Sequence, residues 1–153
     1  FFHEEKILDD SDVLEGLQIF IRPKQKDLTP EVQFYELPSV YSENKWRLLA
    51  APTTDAPLQL RSDTWIYDIQ ITAEKQIEIP TLPEKELTLL LYIFQGTAIV
   101  NNSITLNKGE SILIKDEEHI HIQSGRSEMV LFATNEHTPY FDGGMYSGNQ
   151  NKK

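Results

Sequence analysis

Short runs of β-branched and aromatic residues recur along the chain, and turn residues separate them. Such runs are typical of strands. No 12-residue segment shows helical periodicity, so we expect under about a tenth of the residues in helices, against an ordinary ~30–35%. The sequence therefore predicts an all-β barrel or sandwich. The predicted strands are residues 17–21, 32–37, 46–50, 58–60, 65–71, 76–79, 87–94, 97–100, 104–106, 111–114, 119–123 and 129–133.

The most apolar of these runs, residues 87–94, predicts a buried central strand that stops at Gln95-Gly96. After the next strand, Asn101-Asn102 predicts a tight hairpin turn, because asparagine tolerates a positive φ. The segment after Thr134 is expected to return along the barrel and to end in a loose terminus.

Composition narrows the possible functions. The length of 153 residues suits one domain, and the net charge of −10 disfavours direct binding to nucleic acid. The chain has no cysteine, which excludes disulfides and thiolate chemistry and fits a reducing compartment, so we expect a cytoplasmic protein. No apolar run approaches the ~20 residues of a membrane helix, and no signal peptide is visible.

Two histidines, His119 and His121, share one face of a predicted strand, as a metal site would require. Ile120 and Ile122 occupy the opposite face, and a half-buried strand turns its isoleucines inward. We therefore expect both histidines to face solvent rather than to bind a metal.

The same two-residue spacing relates His3 and Glu5, which by themselves predict only a frayed terminus. The sequence contains neither a Gly-x-Ser-x-Gly motif nor a glycine-rich phosphate loop, so hydrolase and nucleotide chemistry have no support. The aromatic and glycine cluster at residues 140–146 is expected to pack across a barrel edge.

The segment at residues 16–23, Gly-Leu-Gln-Ile-Phe-Ile-Arg-Pro, resembles the strand that opens the second half of pirins, a family of two-barrel cupin proteins. Later motifs follow in a similar order, among them Gln95-Gly96 and the Lys-Gly-Glu at residues 108–110, and the likeness covers about residues 1–135. The resemblance implies a remnant of an N-terminal cupin metal motif with a linker at residues 1–15. It implies a C-terminal cupin-like barrel, or jelly-roll sandwich, at residues 16–153.

In pirins the metal lies in the N-terminal barrel, held by three histidines and one glutamate. The resemblance implies that His3 and Glu5 are two of these four ligands of Fe(II), with the other two further upstream. The C-terminal barrel departs from a cupin metal site, because residues 81–85 replace its His-x-His and the carboxylate position falls near Leu89. Two ligands are too few for octahedral iron, so this chain alone should bind iron weakly at best.

The resulting hypothesis is a metal-free C-terminal barrel of a pirin-like iron-binding protein, with a structural or partner-binding role. Its expected partner is the N-terminal half of its own protein or a second copy of the chain. One alternative is part of an Fe-dependent oxygenase similar to quercetin 2,3-dioxygenase, and another is a cupin that binds a small ligand at its barrel mouth. An upstream His-x-His motif in a strand-rich segment would support the pirin hypothesis.

Overall fold

The computed structural model describes residues 13, 15–84, 86–117 and 119–143. Within these ranges the chain forms strands and no helix, so the predicted all-β class is confirmed. The described residues accordingly contain no helix that could cross a membrane. The strands are β1 (Arg47–Ala51), β2 (Leu58–Gln59), β3 (Thr64–Ile71), β4 (Lys75–Glu78), β5 (Thr88–Val100), β6 (Ile104–Asn107), β7 (Ser111–Ile114) and β8 (His121–Thr134).

Strand β8 organises the sheet, whose order is β2-β1-β3-β8-β5-β6, with β4 also paired to β8 and β7 to β5. One edge of β8 pairs with β5 along most of its length. The other edge pairs first with β4, at residues 121–124, and then with β3, at residues 127–134. Because β8 bridges these groups of strands, the sheet curls around a single core.

The core consists of the inward side chains of the long strands. Leu91 and Ile93 of β5 and Leu131 of β8 are each 0% exposed, and Met129 of β8 is 1% exposed. Successive side chains of a strand point to opposite faces, so alternate positions of β3, β5 and β8 fill the interior. The barrel interior is therefore a packed apolar core rather than an open lumen.

The expected strand break at Gln95-Gly96 is wrong, because β5 continues through it to Val100. Gly96 has a φ of +82°, and a Cβ there would lie 2.2 Å from the carbonyl oxygen of Arg126. The β5–β8 register shifts on either side of this glycine. Gly96 therefore allows close approach of two strands at a bulge instead of ending one of them.

Two further predicted strands, residues 17–21 and 32–37, are wrong, since neither segment belongs to a strand of the sheet. Both segments are largely exposed. The predicted hairpin between β5 and β6 is confirmed, because Asn101 and Asn102 adopt φ values of 46° and 56°. Residues 119–123 and 129–133, predicted as separate strands, mostly join in the single strand β8, which begins at His121.

Candidate functional site

An apolar row crosses the outward face of the sheet. Ile66 of β3 lies opposite Phe132 of β8, which lies opposite Leu90 of β5, which lies opposite Leu113 of β7. Exposure rises along this row, from 6% at Ile66 to 36% at Leu90 and 59% at Leu113. Outward positions of a barrel are ordinarily polar, so this row needs a covering partner.

The segment at residues 15–24, which we call the arm, is held to the barrel at both ends. At its start, Glu15 pairs with Lys108 at 2.7 Å and accepts a hydrogen bond from Gln95 Nε2 at 2.8 Å. The hydrogen bond from Lys108 is the main reason that the pKa of Glu15 lies below its ordinary value. At its end, Lys24 forms an ion pair with Asp63, and its N–H donates to the carbonyl oxygen of Arg61 at 2.8 Å.

Asp63 also anchors the segment at residues 135–141, which we call the return. The Thr138 hydroxyl donates to Asp63 Oδ2 at 2.8 Å, and the Asn135 N–H donates to the Asp63 carbonyl oxygen at 3.2 Å. Burial alone would raise the pKa of the Asp63 carboxyl, but the hydrogen bonds from Lys24 and Thr138 outweigh burial and lower it. Asp63 thus joins the arm, the barrel and the return.

The arm, the return and three members of the apolar row, Phe132, Leu90 and Leu113, line an open groove of about 640 Å³. Leu17, Ile19 and Phe20 of the arm line it and are 39%, 43% and 55% exposed. The guanidinium of Arg22 lies 5.6 Å from the ring centre of Tyr140, which fixes the arm against the return. The groove offers an apolar surface with few charged groups, which suits protein docking better than chemistry.

A second cavity, also of about 640 Å³, opens at one end of the barrel core, and we call it the mouth. Its floor consists of buried aliphatic side chains, those of Leu87, Leu89, Ile114 and Ile120. Its rim is acidic and carries two histidines. The rim residues are Glu78, Glu84, Glu86, Asp116, Glu117, His119 and His121.

The rim charges have no basic partner among the residues that the structure describes. In the described ranges, no lysine or arginine lines the mouth. The nearby Lys115 pairs with Glu136 at 2.5 Å, outside the mouth. Glu78 Oε1 lies 3.8 Å from His121 Nδ1, and that nitrogen makes no hydrogen bond with the described residues. The mouth is therefore a cleft with one sign of charge, which concentrates the electric field.

The histidine prediction is confirmed as far as the strand faces are concerned. Ile120 and Ile122 are 3% and 0% exposed, whereas His119 is exposed and His121 half-buried. Among the described residues, no three histidine or acidic side chains come close enough to hold a metal ion. Leu89, at the carboxylate position of a cupin site, lies in the apolar floor, so the described residues do not fit an iron centre.

The structure does not describe two of the candidate residues, and some features of the site were not predicted from the sequence. His3 and Glu5 lie outside the described residues, so their ligand role stays a prediction. Sequence reasoning did not identify the groove, and it named the barrel mouth only as an alternative ligand site, without its acidic rim. The available signals were the apolar residues Leu90 and Leu113 at outward positions of their strands, and the acidic run Asp116-Glu117-Glu118 that follows β7.

Comparison with solved structures shows the same fold in bacterial proteins. YhhW from Escherichia coli superposes with a TM-score of 0.64 at 20% identity, covering 74% of this chain and 47% of YhhW. A nickel(II) complex of the same bacterial pirin gives 0.62 at 19% identity, covering 76% and 48%. YhaK from Escherichia coli gives 0.50 at 20% identity, covering 60% and 41%. The chain thus spans about half the length of the YhhW structures.

No curated protein matches the chain. Among family models, the quercetinase C-terminal cupin domain matches residues 48–133. The matched segment begins in β1 and ends one residue before the end of β8, so it contains nearly the whole barrel. Since this match covers more than half of the 153 residues, the chain belongs to the pirin family of cupin proteins, as a C-terminal cupin domain.

Proposed function

We propose that this chain is the metal-free, partner-binding barrel of a pirin-like iron-binding protein, and that it docks a metal-carrying cupin barrel in its outer groove. The observation that carries this proposal is the apolar row of Ile66, Phe132, Leu90 and Leu113, which is increasingly exposed toward β7. The absence of cysteine is consistent with work in the cytoplasm.

The groove has the composition of a protein interface. Exposed apolar side chains from three separate segments, the arm, the sheet and the return, meet in one place, and clusters of this kind mark interaction sites. The arm is also pinned at Glu15 and Lys24, so a docked partner would meet a preformed surface and lose less conformational entropy. The YhhW structures are about twice as long as their matched part, which supports a second barrel as the partner.

The test measures whether this chain binds the upstream barrel that we propose. The two parts are produced separately and mixed, and their association is measured by sedimentation velocity. We expect a one-to-one complex with the unaltered chain. A double substitution, Leu90→Glu with Leu113→Glu, should abolish the complex, because it places two carboxylates in an apolar interface.

Ile104→Glu is the matched control, since Ile104 of β6 is 44% exposed and does not line the groove. It should leave association unchanged. If the chain instead forms a dimer that Leu90→Glu with Leu113→Glu dissociates, its partner is a second copy and the proposal is wrong. Association that survives the double substitution would place the interface elsewhere.

As an enzymatic alternative within this proposal, the full-length protein would be an iron-dependent oxygenase similar to quercetin 2,3-dioxygenase. Its Fe(II) would be held by His3, Glu5 and two upstream histidines, so the C-terminal barrel would position the site without supplying further ligands. The experiment compares the iron content of the full-length protein with and without Glu5→Ala. Equal iron content in both proteins would remove Glu5 from the ligand set.

A further inference from the structure

We infer that the mouth is a second binding site, and that it takes a small aliphatic ammonium ion, a protonated amine with an apolar body. This inference is independent of docking in the groove, because the two cavities lie on opposite faces of the barrel wall. Adjacent residues show the separation: Leu89 lines the mouth and Leu90 lines the groove.

The floor of the mouth selects an apolar body. Leu87, Leu89, Ile114 and Ile120 are 7%, 3%, 7% and 3% exposed, and Ile79 and Leu82 extend the same aliphatic lining toward the opening. A volume of about 640 Å³ lies within the ordinary range of small-molecule sites. The chain itself already covers the floor side chains, so an alkyl group would displace water mainly from the half-buried Ile79 and Leu82, which is favourable in proportion to the area covered.

The rim selects a positive charge. Glu84, Glu86, Asp116 and Glu117 form no ion pair with any described lysine or arginine. In the sequence one lysine, Lys85, lies between two of these residues, and the acidic residues of the rim outnumber it, so the rim keeps a negative charge. The rest of the chain adds to the field, since the net charge is −10. A cleft lined by one sign of charge above low-dielectric walls concentrates counter-ions from solution.

Three other ligand classes fit less well. A divalent metal needs converging ligands, and no three described acidic or histidine side chains converge. An anion would be repelled by the rim. A quaternary ammonium ion is favoured by aromatic faces, and no described aromatic side chain lines the mouth. An N–H-bearing ammonium instead donates charge-assisted hydrogen bonds to carboxylates.

The experiment titrates the chain at pH 7 with n-hexylammonium chloride, 1-hexanol and sodium hexanoate, and follows backbone amide resonances by NMR. We expect saturable shifts at Leu89, Ile114 and His121 with the amine, at an affinity at least tenfold above that for hexanol. Hexanoate should produce no shifts. Added salt should weaken amine binding, because the rim charges are partly exposed to solvent.

A pair of triple variants tests the role of the rim. Glu84→Gln, Asp116→Asn and Glu117→Gln together should reduce amine affinity at least tenfold. Glu36→Gln, Glu43→Gln and Glu74→Gln change the net charge equally at exposed positions outside the mouth, and they should leave the affinity within about twofold. Hydrogen–deuterium exchange confirms that each variant remains folded.

Several outcomes would overturn the inference. Equal affinity for the amine and hexanol would show that the charge has no role, and equal losses in both triple variants would show a non-local effect of net charge. Stoichiometric Ni²⁺ binding that His119→Ala with His121→Ala abolishes would make the mouth a metal site. The double substitution Leu90→Glu with Leu113→Glu should retain amine binding, so failure of groove docking leaves this inference standing.

Discussion

The groove and the mouth have the same volume, about 640 Å³, and opposite chemistry. The groove is apolar and lies between the outer face of the sheet and two segments, the arm and the return, which Asp63 joins. The mouth is acidic, is built by strand ends and loops around the core, and has no internal counter-charge in the described part of the chain. Cavity size therefore says little about the ligand, and the lining side chains decide it.

Strand alternation produces this difference from neighbouring residues. On β5, Leu89 belongs to the mouth and Leu90 to the groove, and on β7 Ile114 and Leu113 divide in the same way. Because successive side chains point to opposite faces, a shift of one residue in the strand register would exchange the two linings. The identity of each cavity consequently depends on strand register.

The largest expected effect distinguishes two adjacent leucines of β5, Leu89 and Leu90. Leu89→Ala empties part of a buried floor, so we expect it to lower the free energy of unfolding by about 2–5 kcal/mol. Leu90→Ala removes a side chain that is 36% exposed and should cost clearly less in the isolated chain. Urea denaturation measures both values. Equal losses would mean that the outer row is covered as fully as the core.

A smaller loss of stability is expected from a substitution at Gly96, where the register between β5 and β8 shifts. Gly96→Ala combines a positive φ with a Cβ 2.2 Å from the Arg126 carbonyl oxygen, and the backbone conformation alone costs about 1–3 kcal/mol. Gly109→Ala is the control, because its φ of +83° is the same but no atom lies within 4 Å of the added Cβ. The excess loss in Gly96→Ala then reports the contact between β5 and β8. If thermal and urea unfolding show no excess, close strand approach at Gly96 is not required.

The smallest expected effect concerns the groove alone. Asp63→Asn removes the ion pair with Lys24, whose side chain is 45% exposed against 22% for Asp63, so we expect the free energy of unfolding to fall by about 1 kcal/mol at pH 7. Trypsin should then cleave faster after Lys24, at the end of the arm, while amine binding at the mouth stays unchanged. Asp55→Asn, an exposed carboxylate between β1 and β2, serves as the control and should leave both readouts unchanged.

The shifted pKa of Asp63 predicts that its contribution to stability depends on pH. The pKa of Asp63 is lower in the folded chain than its ordinary value of 3.8, so its contribution is fully present above that value and is lost as the pH falls through the folded-state pKa. The stability difference between wild type and Asp63→Asn should therefore shrink toward zero below about pH 4. A difference that does not decrease as the pH falls below 3.8 would contradict the ion-pair explanation.

Sequence patterns foresaw the features that depend on nearby residues. The alternation around His119 and His121 indicated which side chains face inward, and Asn101-Asn102 indicated the hairpin, because both follow from local backbone geometry. The strand predicted at residues 17–21 is wrong because strand pairing does not follow from local geometry alone. Its composition suits a strand, but pairing requires a free sheet edge, which local composition does not specify.

By itself, the sequence determined the all-β class, the positions of most barrel strands and, through a resemblance, the pirin family. Only the tertiary structure decided that β5 passes through Gly96, that the arm lies beside the outer sheet and that acidic loops gather around the mouth. These features join residues far apart in the chain, such as Glu15 with Lys108 and Thr138 with Asp63. Their geometry is set by long-range packing, whereas the pattern of a single segment reports only its own preferred conformation and burial.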